Sequence, residues 1–142
     1  VFEQALFQYV KDNFQVTDSG GSPIADLTPS IHFGEAPEST EAPYAIMYVL
    51  DSDGDPQTLC DEQFDSGNSL IQFNIYYTDM KNSFYIKQQL NEFLTQIPTL
   101  TLGAVSYTIN RTTHGASPSA QTLTNGLAVD VLAKTFNYTK VN

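Results

Sequence analysis

The sequence predicts an α+β fold: an antiparallel sheet of about five to six strands, a meander plus a C-terminal hairpin, packed by two helices. Three stretches carry this prediction. Ser69–Tyr77 alternates with period two: Ile71, Phe73, Ile75 and Tyr77 form an apolar side against Leu70, Gln72, Asn74 and Tyr76. Asp79–Ile97 then switches to helical spacing, with Met80, Phe84, Ile86, Leu90, Phe93, Leu94 and Ile97 as one stripe. Pro43–Leu50 is apolar on both faces, as suits a central strand or one that meets another subunit.

The remaining elements follow in chain order. Phe2, Leu6, Tyr9, Val10 and Phe14 predict a first helix over Val1–Phe14. Residues 15–30 carry Gly20, Gly21, Pro23 and Pro29 and read as a loop, with a short extended piece at Val16. Ile31–Gly34 suits a short strand, and Glu35–Ala42 an exposed, irregular link. Asp51–Pro56 reads as a polar turn, Gln57–Phe64 as a strand, and Asp65–Asn68 as a second turn. Thr78 or Asp79 can cap the long helix, and Pro98 disfavours helical geometry at Ile97. Val105–Arg111 returns to strand. Leu127–Tyr138 closes the chain, with Leu127, Val129, Val131 and Ala133 opposed to Asp130, Leu132, Lys134, Phe136 and Tyr138. Between them Thr113–Gly126 has no charged side chain and reads as a long loop or projecting arm, expected to order on assembly through His114, Gly115, Pro118 and Leu123.

A length of 142 residues fits one domain, 1–142, with one core. No run approaches the roughly 18 apolar residues of a membrane span, so no membrane partner is expected. Glu3, Gln4 and Gln8 interrupt any signal-like apolar stretch. The one cysteine, Cys60, excludes an internal disulfide framework and reads as a small apolar strand residue. The net charge of −10 is uneven: residues 1–65 carry 13 acidic side chains against Lys11, while residues 66–142 are slightly basic. That balance disfavours a phosphate-gripping surface and leaves a charge-polarised molecule able to orient partners.

Motifs for chemistry are thin. Asp51, Asp53, Asp55 and Glu62 match four ligand positions of a calcium-binding loop, but Pro56 stands where that loop needs glycine. A weak cation turn is the most this supports. His32 and His114 stand alone, without the spacing of a zinc site. Glu35, Glu38 and Glu41 sit in a proline-containing link, a poor platform for acid–base work. No nucleophile elbow or phosphate-binding loop occurs, so no enzyme and no cofactor is expected. The better clue is nine Phe and eight Tyr in one small domain. Tyr44, Tyr48, Tyr76, Tyr107 and Tyr138 fall in strands and are candidates for an oligomer interface.

The chain resembles the tail terminator, or tail completion, proteins of long-tailed bacteriophages. The likeness rests on the helix Phe2–Leu6, on His32–Pro37 followed by Ala42–Tyr44 and Ile46–Val49, on Ile71–Thr78 leading into Phe84–Ile97, and on the closing strand pair. It covers Phe2 to about Tyr138. The chain departs from it in the longer Gln15–Ser30 link and in Thr113–Gly126. The resemblance implies a structural virion protein at the head–tail junction. Such a protein forms a hexameric ring on the tail tube, stops its elongation and meets both the tube protein and the head connector. DNA passes through the ring without specific contact, and Asp51, Asp53 and Asp55 are candidates for an acidic lumen wall. Another neck component, or a soluble adhesion domain, is the alternative.

Overall fold

The computed structural model describes residues 2–54, 64–97, 99–114, 121–122 and 126–141. They form the expected α+β fold. A curled sheet runs in the order β1-β2-β3-β7-β5-β4, with β6 beside β7, and two helices pack on it. The strands are β1 Ser30–Phe33, β2 Tyr44–Gly54, β3 Phe64–Tyr77, β4 Thr99–Leu102, β5 Val105–His114, β6 Gln121–Thr122 and β7 Ala128–Val141. The helices are α1 Phe2–Asn13 and α2 Met80–Thr95. Every pairing but one is antiparallel; β1 runs parallel to β2, so the sheet is mixed.

The period-two reading of β3 holds. Ile71, Phe73 and Ile75 are buried toward the helices, opposite Lys134, Leu132 and Asp130 of β7. The strand is longer than expected, however. Asp65–Asn68, read as a turn, is a paired part of β3: Asp65 to Asn68 face Lys140 to Asn137. Asp51–Gly54, also read as a turn, continues β2 against Leu70–Gly67. A bulge between Val49 and Asp51 lets this acidic stretch stay in register. Of the expected strand Gln57–Phe64, only Phe64 is described, and Cys60 lies outside the described residues.

Asp79 caps α2 as anticipated, its carboxylate accepting from the Asn82 amide at 2.8 Å. The buried stripe of α2 is Ser83, Ile86, Leu90 and Leu94. Met80 and Phe84, assigned to that stripe from spacing, are exposed. α2 lies along β7 and β3, while α1 reaches both β1 and β4, the outermost strands. The sheet therefore curls around α1. Phe2 stacks on Tyr138 at 4.2 Å, and Phe7 meets Phe33 of β1 edge-on. Tyr9 and Phe14 close on Phe93 and join the two helices.

Candidate assembly surface

Both helices occupy one face of the sheet; the opposite face is made of the alternate residues of the same strands. Its rows follow from the register. Tyr44, Tyr76 and Val129 form one row, Ile46, Asn74 and Val131 the next, then Tyr48, Gln72 and Ala133. Tyr44 and Tyr76 stack at 4.7 Å, and the His32 ring meets Tyr44 edge-on at 6.4 Å. Gln72 donates to Asn74 at 2.7 Å. Farther along, Asn137 donates to Asn68 at 3.0 Å, and Asn110 to Thr139 at 2.7 Å. A shallow depression of about 450 Å³ lies here, lined by Asn68, Arg111, Thr113, Thr135 and Asn137. This face offers rings, amides and hydroxyls, the chemistry of a protein contact surface.

The tyrosine candidates divide. Tyr44, Tyr48 and Tyr76 are half-buried on the helix-free face. Burial, with neighbouring Tyr76, pushes the Tyr44 and Tyr48 hydroxyls above their ordinary pKa, so both stay neutral donors at physiological pH. Tyr107 and Tyr138 instead point toward the helices, 3% and 8% exposed, and pack against Phe2. They belong to the hydrophobic core of the chain itself. The alternation of β7 places Tyr138 with Leu132 and Phe136, but only the tertiary fold brings Phe2 onto it.

Asp51 is exposed on β2. Asp53 of the same strand pairs with Asn68 of β3, and Asp55 lies outside the described residues. A calcium loop folds its ligands around one point, whereas Asp51 and Asp53 sit two residues apart on an extended strand. Among the described residues no group of three or more His, Cys, Asp or Glu side chains converges as a metal site. Millimolar calcium is expected to leave the melting temperature unchanged; calorimetry showing micromolar affinity would contradict this. In the expected arm, Thr113 and His114 instead extend β5, and Gln121 and Thr122 pair with β7. Gly115, Pro118 and Leu123 lie outside the described residues. No helix among the described residues is long and apolar enough to cross a membrane.

One polar feature escaped motif reading. Between α2 and β7, Lys87 pairs with the buried Asp130 at 3.1 Å. One turn along, Lys134 donates to the Asn91 and Thr95 side-chain oxygens at 2.6 and 3.0 Å. Lys134 is 5% exposed, and burial holds its ammonium below a lysine's ordinary 10.5. The folded chain therefore binds this proton less tightly than the unfolded chain does. Stability from this group rises with pH between the folded value and 10.5. Lys134→Met is expected to be close to neutral or stabilising at pH 7, with its advantage shrinking as pH nears 10. Parallel urea titrations of parent and variant check this, because tyrosine ionisation is common to both.

Compared with family models and with curated proteins, the chain matches none.

Proposed function

We propose that this chain is a ring-forming structural protein of a long-tailed phage, which caps the tail tube and presents the surface for head–tail joining. The observation that carries the reading is the helix-free sheet face with its Tyr44–Tyr76 stack, Tyr48, Gln72 and Asn74. A subunit that keeps both helices on one side leaves such a face, and the strand edges beside it, for other copies and for the tube. The likeness of Ala42–Tyr44 with Ile46–Val49, and of Ile71–Thr78 with Phe84–Ile97, to tail terminators points the same way. Partners in this reading are further copies of the chain, the tube protein and the neck connector. DNA meets only the channel wall, where acidic side chains such as Asp51 repel phosphate and let the duplex slide.

Adding the purified chain to growing tubes of the cognate tube protein tests the reading. Tubes of fixed length with density at one end are the expected result. Continued growth with no bound density, at a several-fold excess of the chain, contradicts it.

A further inference from the structure

Where α2 lies on β7 there is a depression of about 270 Å³, on the helix side of the sheet. Among the described residues Phe84, Lys87, Gln88, Asn91 and Leu132 line it. The polar groups here have hydrogen bonds of fixed direction. Lys134 Nζ reaches Asn91 Oδ1 at 2.6 Å and Thr95 Oγ1 at 3.0 Å. An ammonium only donates, so the Asn91 atom it meets is the amide oxygen, and this fixes which way the amide faces. Thr95 gives its own hydroxyl hydrogen to the Asn91 backbone oxygen at 2.7 Å, so toward Lys134 it accepts. Both oxygens are thereby committed. What Asn91 keeps for the depression is its Nδ2 donor.

Lys87 repeats the pattern. It gives a hydrogen to Asp130 Oδ1 at 3.1 Å, and its Nζ stands 6.0 Å from the centre of the Phe84 ring. An ammonium carries three donors, so Lys87 has others to offer. Among the described residues nothing takes them, nor the Asn91 Nδ2 donor.

The charges do not balance. Two ammonium groups, Lys87 and Lys134, face one carboxylate, Asp130. Lys134 is 5% exposed, and the two oxygens it meets are neutral. Glu92 is exposed and does not line the depression. One positive charge is left over, in a chain of net charge −10. A buried ammonium without a counter-charge costs stability. Since Lys134→Met is expected to leave the fold no weaker at pH 7, folding alone does not account for this lysine.

We propose that the depression binds a carboxylate monoanion carried on a small apolar body. Lys87 Nζ and Asn91 Nδ2 donate to the two carboxylate oxygens, and Lys134 supplies the balancing charge through Asn91. The Phe84 ring, 43% exposed, and Leu132 take the body. One surplus charge matches a monoanion, whereas phosphate brings a second charge to a strongly acidic chain. The volume lies below the roughly 300–1,000 Å³ of sites for larger ligands and suits a body of a few carbons. The carboxylate comes either from a free acid or from a partner protein. The site lies across the sheet from the tyrosine rows, so it stands or falls independently of the ring reading.

Melting curves and side-chain amide NMR of the intact chain test the proposal. The probes are phenylacetate, acetate, inorganic phosphate and a capped dipeptide of phenylalanine and glutamate, each compared with chloride at equal ionic strength. Millimolar phenylacetate is expected to raise the melting temperature and to shift the Asn91 Nδ2 protons saturably. Lys134→Met is expected to weaken this binding at least tenfold while the fold holds. Phe84→Ala, at an exposed position, is expected to weaken phenylacetate several-fold and acetate hardly at all. Dipeptide binding at least as tight as that of phenylacetate supports the site with a partner protein as its source; binding of the free acid alone supports it with a small molecule. Three results overturn the proposal: no saturable shift at Asn91, an equal rise in melting temperature for parent and Lys134→Met, or tighter binding of phosphate than of phenylacetate.

Discussion

Phe2→Ala is expected to destabilise the fold by about 3–5 kcal/mol. Phe2 is buried and lies parallel on Tyr138 at 4.2 Å, with Tyr107 and Phe136 each at 5.8 Å. These rings belong to β5 and β7, so one side chain fixes the start of α1 to the middle of the curled sheet. Truncation removes a large apolar area and breaks three ring contacts at once. It also loosens a helix that touches both outermost strands, and the curl should relax with it. Phe2→Leu keeps most of the volume and is expected to cost far less. Urea unfolding checks both. A loss below about 1 kcal/mol for the alanine variant would mean that α1 is not an integral part of the core.

Leu90→Ala is expected to cost roughly 2–5 kcal/mol, through lost burial and the cavity left behind. Leu90 is fully buried between Ile86 and Leu94 on the face that α2 turns to β7 and β3. Leu132 and Phe73 lie in the same core cluster and cannot collapse into the gap without moving a sheet strand. Since a domain of this size holds about 5–15 kcal/mol in all, the melting temperature should fall by many degrees. A urea series showing less than about 0.5 kcal/mol would remove α2 as the inner support of the sheet.

Much of this architecture was legible from local pattern. Alternation put Ile71, Phe73 and Ile75 on the apolar side of β3, which the structure buries, and grouped Asp130, Leu132, Lys134, Phe136 and Tyr138 on one side of β7; only the register with β3 shows that this side faces the helices. The cap at Asp79 followed from side-chain chemistry. Local pattern failed where the ladder overrode composition. Asp65-Ser-Gly-Asn68 has turn residues, yet all four pair with β7, and Gly67 and Asn68 pair with β2 as well, and those backbone bonds outweigh propensity. Asp51–Gly54 is strand because the ladder with Leu70–Gly67 of β3 continues through it, and Asp51 at its start is exposed to water. Met80 and Phe84 are four apart, but at 100° per residue they turn to the flank of the line through Ser83, Ile86, Leu90 and Leu94 that α2 buries.

The candidate surface was only partly legible. Counting tyrosines identified Tyr44, Tyr48 and Tyr76, but the same count swept in Tyr107 and Tyr138, whose inward aim depends on where α1 lands. The parallel β1–β2 pair comes from nonlocal pairing and leaves no mark on local periodicity.

The central claim is that this subunit works as a closed ring. Its most direct test is the mass of the intact chain in solution, measured by sedimentation across a wide concentration range at physiological salt. The account predicts one discrete species at an integral multiple of 15.7 kDa, the hexamer first among them, in equilibrium with monomer. A strictly monomeric chain at the highest concentration, unchanged when cognate tail tubes are added, would contradict it.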